Sequence, residues 1–405
     1  MAIIISISAL FGYANHKWLK LPTTIGVMLI SVILAIVLKE AEGLHLPFTE
    51  SFRLFLTNFN FSRFVLDFIL CFLLFAGSLH VKLINLKGAR ANVISYSTIG
   101  VIISTLIIGY FTKLILDALD YEVSIIKCLL FGALVSPTDP IAVIGILSKY
   151  NIPKKLKTEI IGESLFNDGV GVVVFTVILS VITGGEDTFT PGSILKLIVV
   201  EVIGGLGIGL FIGYIGYLLM KSIDHYQTEI MITLAVVTGG YSLASSLHAS
   251  GPLAMVVAGL IIGNKGKADA MSDTTAEYVD KFWELVDEIC NTILFALMGL
   301  ELFLVPYNLN YFAVGCMLVF VALGARFISL LPAFYIFNRH ESRKLLGLSV
   351  LTWGGLRGGI SLALALSLVK SLPEANLFLV SAYCIVLFSI LVQGLTIKKL
   401  LTRYQ

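Results

Sequence analysis

Residues 162–175 read GESLFNDGVGVVVF, from Gly162 to Phe175, and the apolar run that follows continues to Val181. Glu163 and Asp168 both stand inside this stretch. A run of this length and apolarity is expected to cross a membrane as a helix. A carboxylate at the middle of a bilayer costs about 2.5–3.5 kcal/mol on insertion scales, so each of the two must be paired, protonated or occupied. An ionisable group kept at that depth marks a functional site. We place Asp168 at the centre of a cation and proton pathway.

The whole chain reads the same way. Hydrophobic residues make up 57% of it and charged residues 13%, where a soluble domain carries about 25% charged residues. Helices of about 20 residues with short links fill the 405 residues with some 12–14 spans. A single transmembrane domain, 1–405, with no soluble tail is therefore expected. The net charge of +2 points away from nucleic acid. Cys71, Cys128, Cys290, Cys316 and Cys384 are isolated and match neither zinc nor disulfide spacing, so they are expected to be packing residues. No basic residue precedes the first apolar run, so that run is expected to be a short first span and not a cleaved signal.

Apolar runs predict about thirteen spans: 1–15, 22–38, 64–80, 92–116, 126–148, 159–183, 193–220, 229–247, 250–264, 284–305, 311–337, 345–369 and 375–397. The segment 41–62 is too polar to span and is expected at the interface, and 266–283 reads as a surface loop leading into a helix. Of the 28 Lys and Arg residues, Lys39, Arg53, Arg63, Lys113, Lys127, Lys196 and Lys370 fall on one side and Arg326 and Arg357 inside spans. The other nineteen fall in the loops after odd-numbered spans. The positive-inside rule then predicts an amino terminus outside and a carboxyl terminus in the cytoplasm.

Two spans are interrupted. One holds Ser136-Pro137-Thr138-Asp139-Pro140, whose prolines remove donors and clash with the preceding turn. The other holds Trp353-Gly354-Gly355-Leu356-Arg357-Gly358-Gly359. Each is the fifth span of a six-span unit if spans 1–6 and 8–13 are repeats joined by span 7, and an offset of seven spans makes the repeats inverted. The expected fold is an all-α polytopic membrane protein with two inverted six-helix repeats and crossed discontinuous helices. Breaks at matching positions of two halves point to a transporter binding site.

Unwound backbone at that depth is tolerated only where it is buried or lines a cavity, and its half-helix ends carry partial charges. Asp139, with Arg357 or Arg326, is expected to offset those ends. Ser164 and Asp168 are four residues apart and share a helix face; Glu163 and Asn167 form a second pair about 100° away. Asp168, Ser164 and Thr138 are expected to supply oxygens to a hard alkali cation, with Asn167 positioning Asp168. Glu163 needs a positive partner, for which Arg357 is preferred, and Arg326 is assigned to charge compensation. If Asp168 holds either one proton or one monovalent cation, and the empty anion cannot cross, exchange is obligatory and electroneutral.

These residues resemble the monovalent cation/proton antiporter-1 family, the sodium/proton exchangers of the bacterial NhaP type and their animal relatives. The resemblance rests on Ser136 to Pro140, Gly162 to Asp168, Ser250-Gly251-Pro252-Leu253-Ala254 with Gly259 to Asn264, Asn291 to Glu301, and Gly354 to Gly359. It implies a cation site at Thr138, Ser164 and Asp168 with Asn167 in support, and an ion pair of Glu163 with Arg357. It also implies a homodimer in which a core, about 92–183 and 311–397, moves against a dimerisation part, about 1–80 and 193–305, in an elevator-like cycle. The Asn167-Asp168 pair, in place of two aspartates, marks the electroneutral branch. Ala76 stands where many relatives carry a glutamate that assists binding, which leaves open Na+ against K+.

Other features carry bland readings. Gly205, Gly209 and Gly213 are spaced for close helix contact. His80 and His248 are expected to hydrogen-bond near span ends, and Trp18 and Trp283 to sit in the aromatic belt. The functional expectation is an electroneutral Na+(Li+)/H+ antiporter of a bacterial plasma membrane, with no cofactor and no enzymatic activity. The alternatives are a K+/H+ antiporter of the same fold, a gated cation channel, for which no filter-like repeat is present, and an intramembrane hydrolase, for which Ser164 lacks a nearby histidine.

Overall fold

The structure is a computed structural model that describes residues 2–139, 153–184, 190–337, 344–369 and 371–404. The end of the span expected at 126–148, with Pro140 and Lys149, lies outside the described residues, as do Arg339, Arg343 and Lys370 of the charge count. In chain order the main helices are α1 (Ala2–Ala14), α2 (Thr23–Gly43), α3 (Pro47–Asn58), α4 (Phe61–Leu79), α5 (Leu83–Ala118), α6 (Ile125–Val135), α7 (Lys154–Thr183) and α8 (Gly192–Lys221). They continue with α9 (Tyr226–Ser246), α10 (Gly251–Ile261), α11 (Asp273–Glu301), α12 (Leu309–Phe337), α13 (Lys344–Trp353), α14 (Gly359–Ser367) and α15 (Ala375–Thr402). Among the described residues α2, α4, α5, α7, α8, α12 and α15 are long and apolar enough to cross a bilayer. The protein is an all-helical, multi-pass membrane protein, and the one pairing of extended backbone among the described residues is an isolated bridge between Asp139 and Leu356.

The helices pack in two groups. In one, α5 packs on α6, α7 and α12, and α12 on α13 and α15. In the other, α2 packs on α11, α4 on α10 and α11, and α8 on α9 and α10. The polar segment 41–62 contains the amphipathic α3, as its composition requires, and Arg53 on it pairs with Glu42.

Two expectations are corrected. The stretch 266–283 is not mainly loop, because α11 begins at Asp273, capped by the Ser272 hydroxyl, and runs unbroken to Glu301. Trp283 is not an interfacial belt residue. It is fully buried against Phe72 and Phe75 of α4, and its indole N–H donates to the Thr233 hydroxyl at 2.9 Å. Trp283 lies on the face of α11 that packs on α4, where an indole is stable once its N–H has a partner. Trp18 is exposed, as a belt residue is.

The glycines of α8 act as spacers. A Cβ at Gly209 would sit 2.5 Å from the Ala254 carbonyl of α10, whereas one at Gly207 would meet nothing within 4 Å. Gly209→Val is expected to cost about 1–3 kcal/mol through overpacking, while Gly207→Ala is neutral or stabilising by up to about 1 kcal/mol. Thermal unfolding in detergent checks the contrast; equal melting temperatures for the two variants would refute the close contact.

Candidate functional site

The break after α6 follows from Pro137, which has no N–H to continue the helix. The chain runs extended through Thr138 and Asp139, and the Asp139 N–H donates to the Leu356 carbonyl at 2.7 Å. Leu356 lies in the gap between α13 and α14, so the extended segment after α6 meets that gap here. Backbone groups opened by a break inside a membrane need partners. α15 supplies two of them: the Ser389 hydroxyl accepts from the Arg357 N–H at 2.9 Å, and the Gln393 amide donates to the Trp353 carbonyl at 3.3 Å. Ser389 in turn donates to Gln393 at 2.8 Å.

The half-helix ends carry the charges that complement them. Arg357, buried, donates to the carbonyls of Ser136 and Pro137, the latter at 2.9 Å, placing positive charge at the carboxyl end of α6. Asp139 lies against Gly358, at the amino end of α14, where negative charge is favoured. Arg326, on α12, donates at 3.2 Å to Leu351 near the carboxyl end of α13.

Glu163 pairs with Arg326 and not with Arg357. The contact is bidentate, through both guanidinium nitrogens, with one bond at 2.8 Å, and both side chains are buried. The physical reason is competition: the guanidinium of Arg357 is drawn to the free carbonyls of the α6 break, and Arg326 is left to neutralise Glu163. A planar fork facing a carboxylate is the geometry in which arginine binds best.

Around Asp168 the structure brings three of the expected residues together. The Thr138 and Ser164 hydroxyls are 3.1 Å apart, the Asn167 amide donates to the Thr138 hydroxyl at 2.7 Å, and its oxygen accepts from the Thr138 N–H at 3.2 Å. Asn167 thus stitches α7 to the unwound segment. Gly171, one turn on, makes the approach possible, since a Cβ there would overlap the Pro137 ring. Thr138, Ser164 and Asn167 are each no more than 2% exposed, and Asp168 is 6% exposed. Among the described residues the Asp168 carboxylate has no hydrogen-bond or ion-pair partner, and the charge acting on it is that of Asp139.

Asp168 opens instead on a cavity of about 760 Å³ between the two helix groups. Asp139, Pro137 and Gly358 line it on one side, and Gly77 of α4 with Glu284 and Asp287 of α11 on the other. Lys82, Lys154 and Lys157 lie at its rim, with His80, whose Nδ1 is 3.4 Å from Asp280. Thr138, Ser164 and Asn167, joined to one another by hydrogen bonds, are not among the residues that line the cavity.

Sequence reasoning missed Ser389, Gln393, Glu284 and Asp287. The first pair gives no local signal, because their role exists only where α15 passes the break in α13. For the second pair, the spacing of three residues at the head of an apolar run was available, since Glu284 and Asp287 share a helix face.

The profile of the family "Sodium/hydrogen exchanger, transmembrane" matches residues 5–403. The chain is 45% identical over 408 residues to the Na(+)/H(+) antiporter NhaP of Pseudomonas aeruginosa, covering all of this chain and 96% of that one. It is 30% identical over 406 residues to the Na(+)/H(+) antiporter NhaH of Halobacillus dabanensis, again over all of this chain and 96% of the other. Among solved structures, the sodium proton antiporter MjNhaP1 of Methanocaldococcus jannaschii superposes with a TM-score of 0.77 at 19% identity, over 99% of this chain and 97% of that one, which shows the fold.

Proposed function

Because the chain belongs to the sodium/hydrogen exchanger family, we propose that it exchanges Na+ or Li+ for H+, one for one, across a bacterial plasma membrane. The observation that carries this reading is the partnerless carboxylate of Asp168, buried but open to the cavity, with Ser164, bonded to Thr138, one turn before it on α7. Burial away from water penalises the anion, and either a proton or a cation removes the penalty. The two ligands compete for one charge. The loaded site is neutral in both cases and the empty site is not, so only loaded forms cross cheaply and uncoupled leak is suppressed. With Glu163 neutralised by Arg326, and Glu159 bound by Asn92 and Lys155, Asp168 is the one carboxylate of α7 free to alternate, which makes the cycle electroneutral.

The two helix groups suggest how access alternates. The group holding α5–α7 and α12–α15 carries the broken helices and Asp168 as one body, and in this reading it slides against the group holding α2, α4 and α8–α11 within a homodimer. In this reading the lysines at the cavity rim, on the side the positive-inside rule assigns to the cytoplasm, support an inward-facing state with the amino terminus outside.

The test is cation-induced dequenching of a pH-sensitive dye in inverted vesicles, with Na+, Li+ and K+ added in turn on both sides of neutral pH. Response to Na+ and Li+ supports the proposal. Response to K+ alone assigns a K+/H+ exchanger of the same mechanism, a reading that Ala76, fully buried where it offers no oxygen, leaves open. Ionic conductance without proton counterflow would refute exchange.

A further inference from the structure

Asp287 has no part in the exchange cycle just described, yet it lines the same cavity as Asp168 and Asp139, from the opposite wall. The ionisable groups that act on it are Asp139, Glu288 and Glu284, all acidic. Among the described residues no basic side chain pairs with Asp287 or with Asp168. Asp139 lines the same cavity and is fixed there by its backbone bond to Leu356. A buried carboxylate with no pairing charge is stable only when it holds a proton or a mobile cation. Asp168 is the independent sign of such a ligand, being buried, partnerless and open to this space. Apolar Leu73, Leu165 and Leu294 line the same cavity, and its lysines, Lys82, Lys154 and Lys157, lie at the rim. Low-dielectric walls of this kind focus the field of the charges they enclose and raise the local cation concentration.

We propose that Asp287 is an affinity-setting residue: it holds the incoming, partly hydrated monovalent cation across the cavity from Asp168 and passes it to the inner site. This rests on the exchange reading above. Asp287 belongs to α11, which packs on α2 and α4, and so it stands on the helix group that does not carry Asp168. It therefore faces the binding carboxylate only while the cavity is open on this side. Its effect is one-sided: it sets affinity for the cation arriving from the cavity face and leaves turnover at saturation nearly unchanged.

The experiment compares wild type, Asp287→Asn and Asp287→Glu in inside-out and right-side-out vesicles, with Na+ concentration varied on the outer face of each. The expected result for Asp287→Asn is a KM for Na+ raised about tenfold at the cavity face, with the maximal rate within about twofold and the KM at the opposite face unchanged. Asp287→Glu keeps the charge and is expected to keep the wild-type KM. An unchanged KM in Asp287→Asn, a rise of equal size at both faces, or an Asp287→Glu protein as impaired as Asp287→Asn overturns the proposal. If Asp287→Asn does not fold, Asp287→Ser removes the same charge and the same outcomes apply. A wild-type protein that moves no protons in response to any monovalent cation sinks the exchange reading itself, whereas active wild type with unaltered Asp287→Asn sinks this inference alone.

Discussion

Asp168→Asn is expected to abolish sodium-driven proton movement in vesicles while leaving a protein at least as stable as the wild type. The two halves of this expectation come from the same fact. The carboxylate lies in a 6% exposed position with no hydrogen-bond or ion-pair partner among the described residues. An uncompensated anion in such a place opposes folding, so the neutral amide of the same shape relieves a cost. It also removes the only group of α7 free to trade a proton for a cation. Asparagine keeps an oxygen to offer a cation but no charge to neutralise it, so affinity is lost together with proton coupling. The measurements are dye dequenching in inverted vesicles and thermal unfolding in detergent. Retained cation-driven proton flux in this variant would overturn the assignment of Asp168; loss of flux with a lowered melting temperature would show a structural role instead.

The second large effect falls on stability. Removing one member of the buried Glu163–Arg326 pair, by Glu163→Gln or Arg326→Gln, strands the opposite charge in the membrane and is expected to cost about 3–5 kcal/mol. Arg326 loses in addition its bond to the Leu351 carbonyl, so Arg326→Gln is expected to be the worse of the two. The double variant Glu163→Leu with Arg326→Leu removes both charges and is expected to recover most of the loss, since an apolar replacement of a buried pair is often neutral or better. A double-mutant cycle reads the coupling directly. Coupling of Glu163 to Arg357 as large as its coupling to Arg326 would return the pairing to the arginine that sequence alone favours.

Much of the site is legible along the chain because its signals are local. Two prolines three residues apart announce a break wherever they occur, and four glycines around Arg357 do the same. A carboxylate among valines is anomalous without reference to anything else. The four-residue spacing of Ser164 and Asp168 places them on one face before any packing is known. Pairing is not local in this sense. Both Arg326 and Arg357 are buried at mid-membrane and each is within reach of several acceptors, so choosing between them requires knowing that the carbonyls of Ser136 and Pro137 lie beside Arg357. Trp283 was misread for a related reason. Its place near the end of an apolar run suits an interface, but the packing of α11 on α4 sets it against Phe72 and Phe75.

The membrane class, the positions of the helix breaks and the anomalous carboxylate were thus all readable from residue order, because insertion into lipid penalises each residue according to its own chemistry and depth. The meeting of the two breaks through Asp139 and Leu356, the partner of Glu163, the polar groups of α15 that solvate the gap, and the acidic face of α11 opposite Asp168 were not. Each depends on which groups far apart in the chain come to face one another, and that is set by packing.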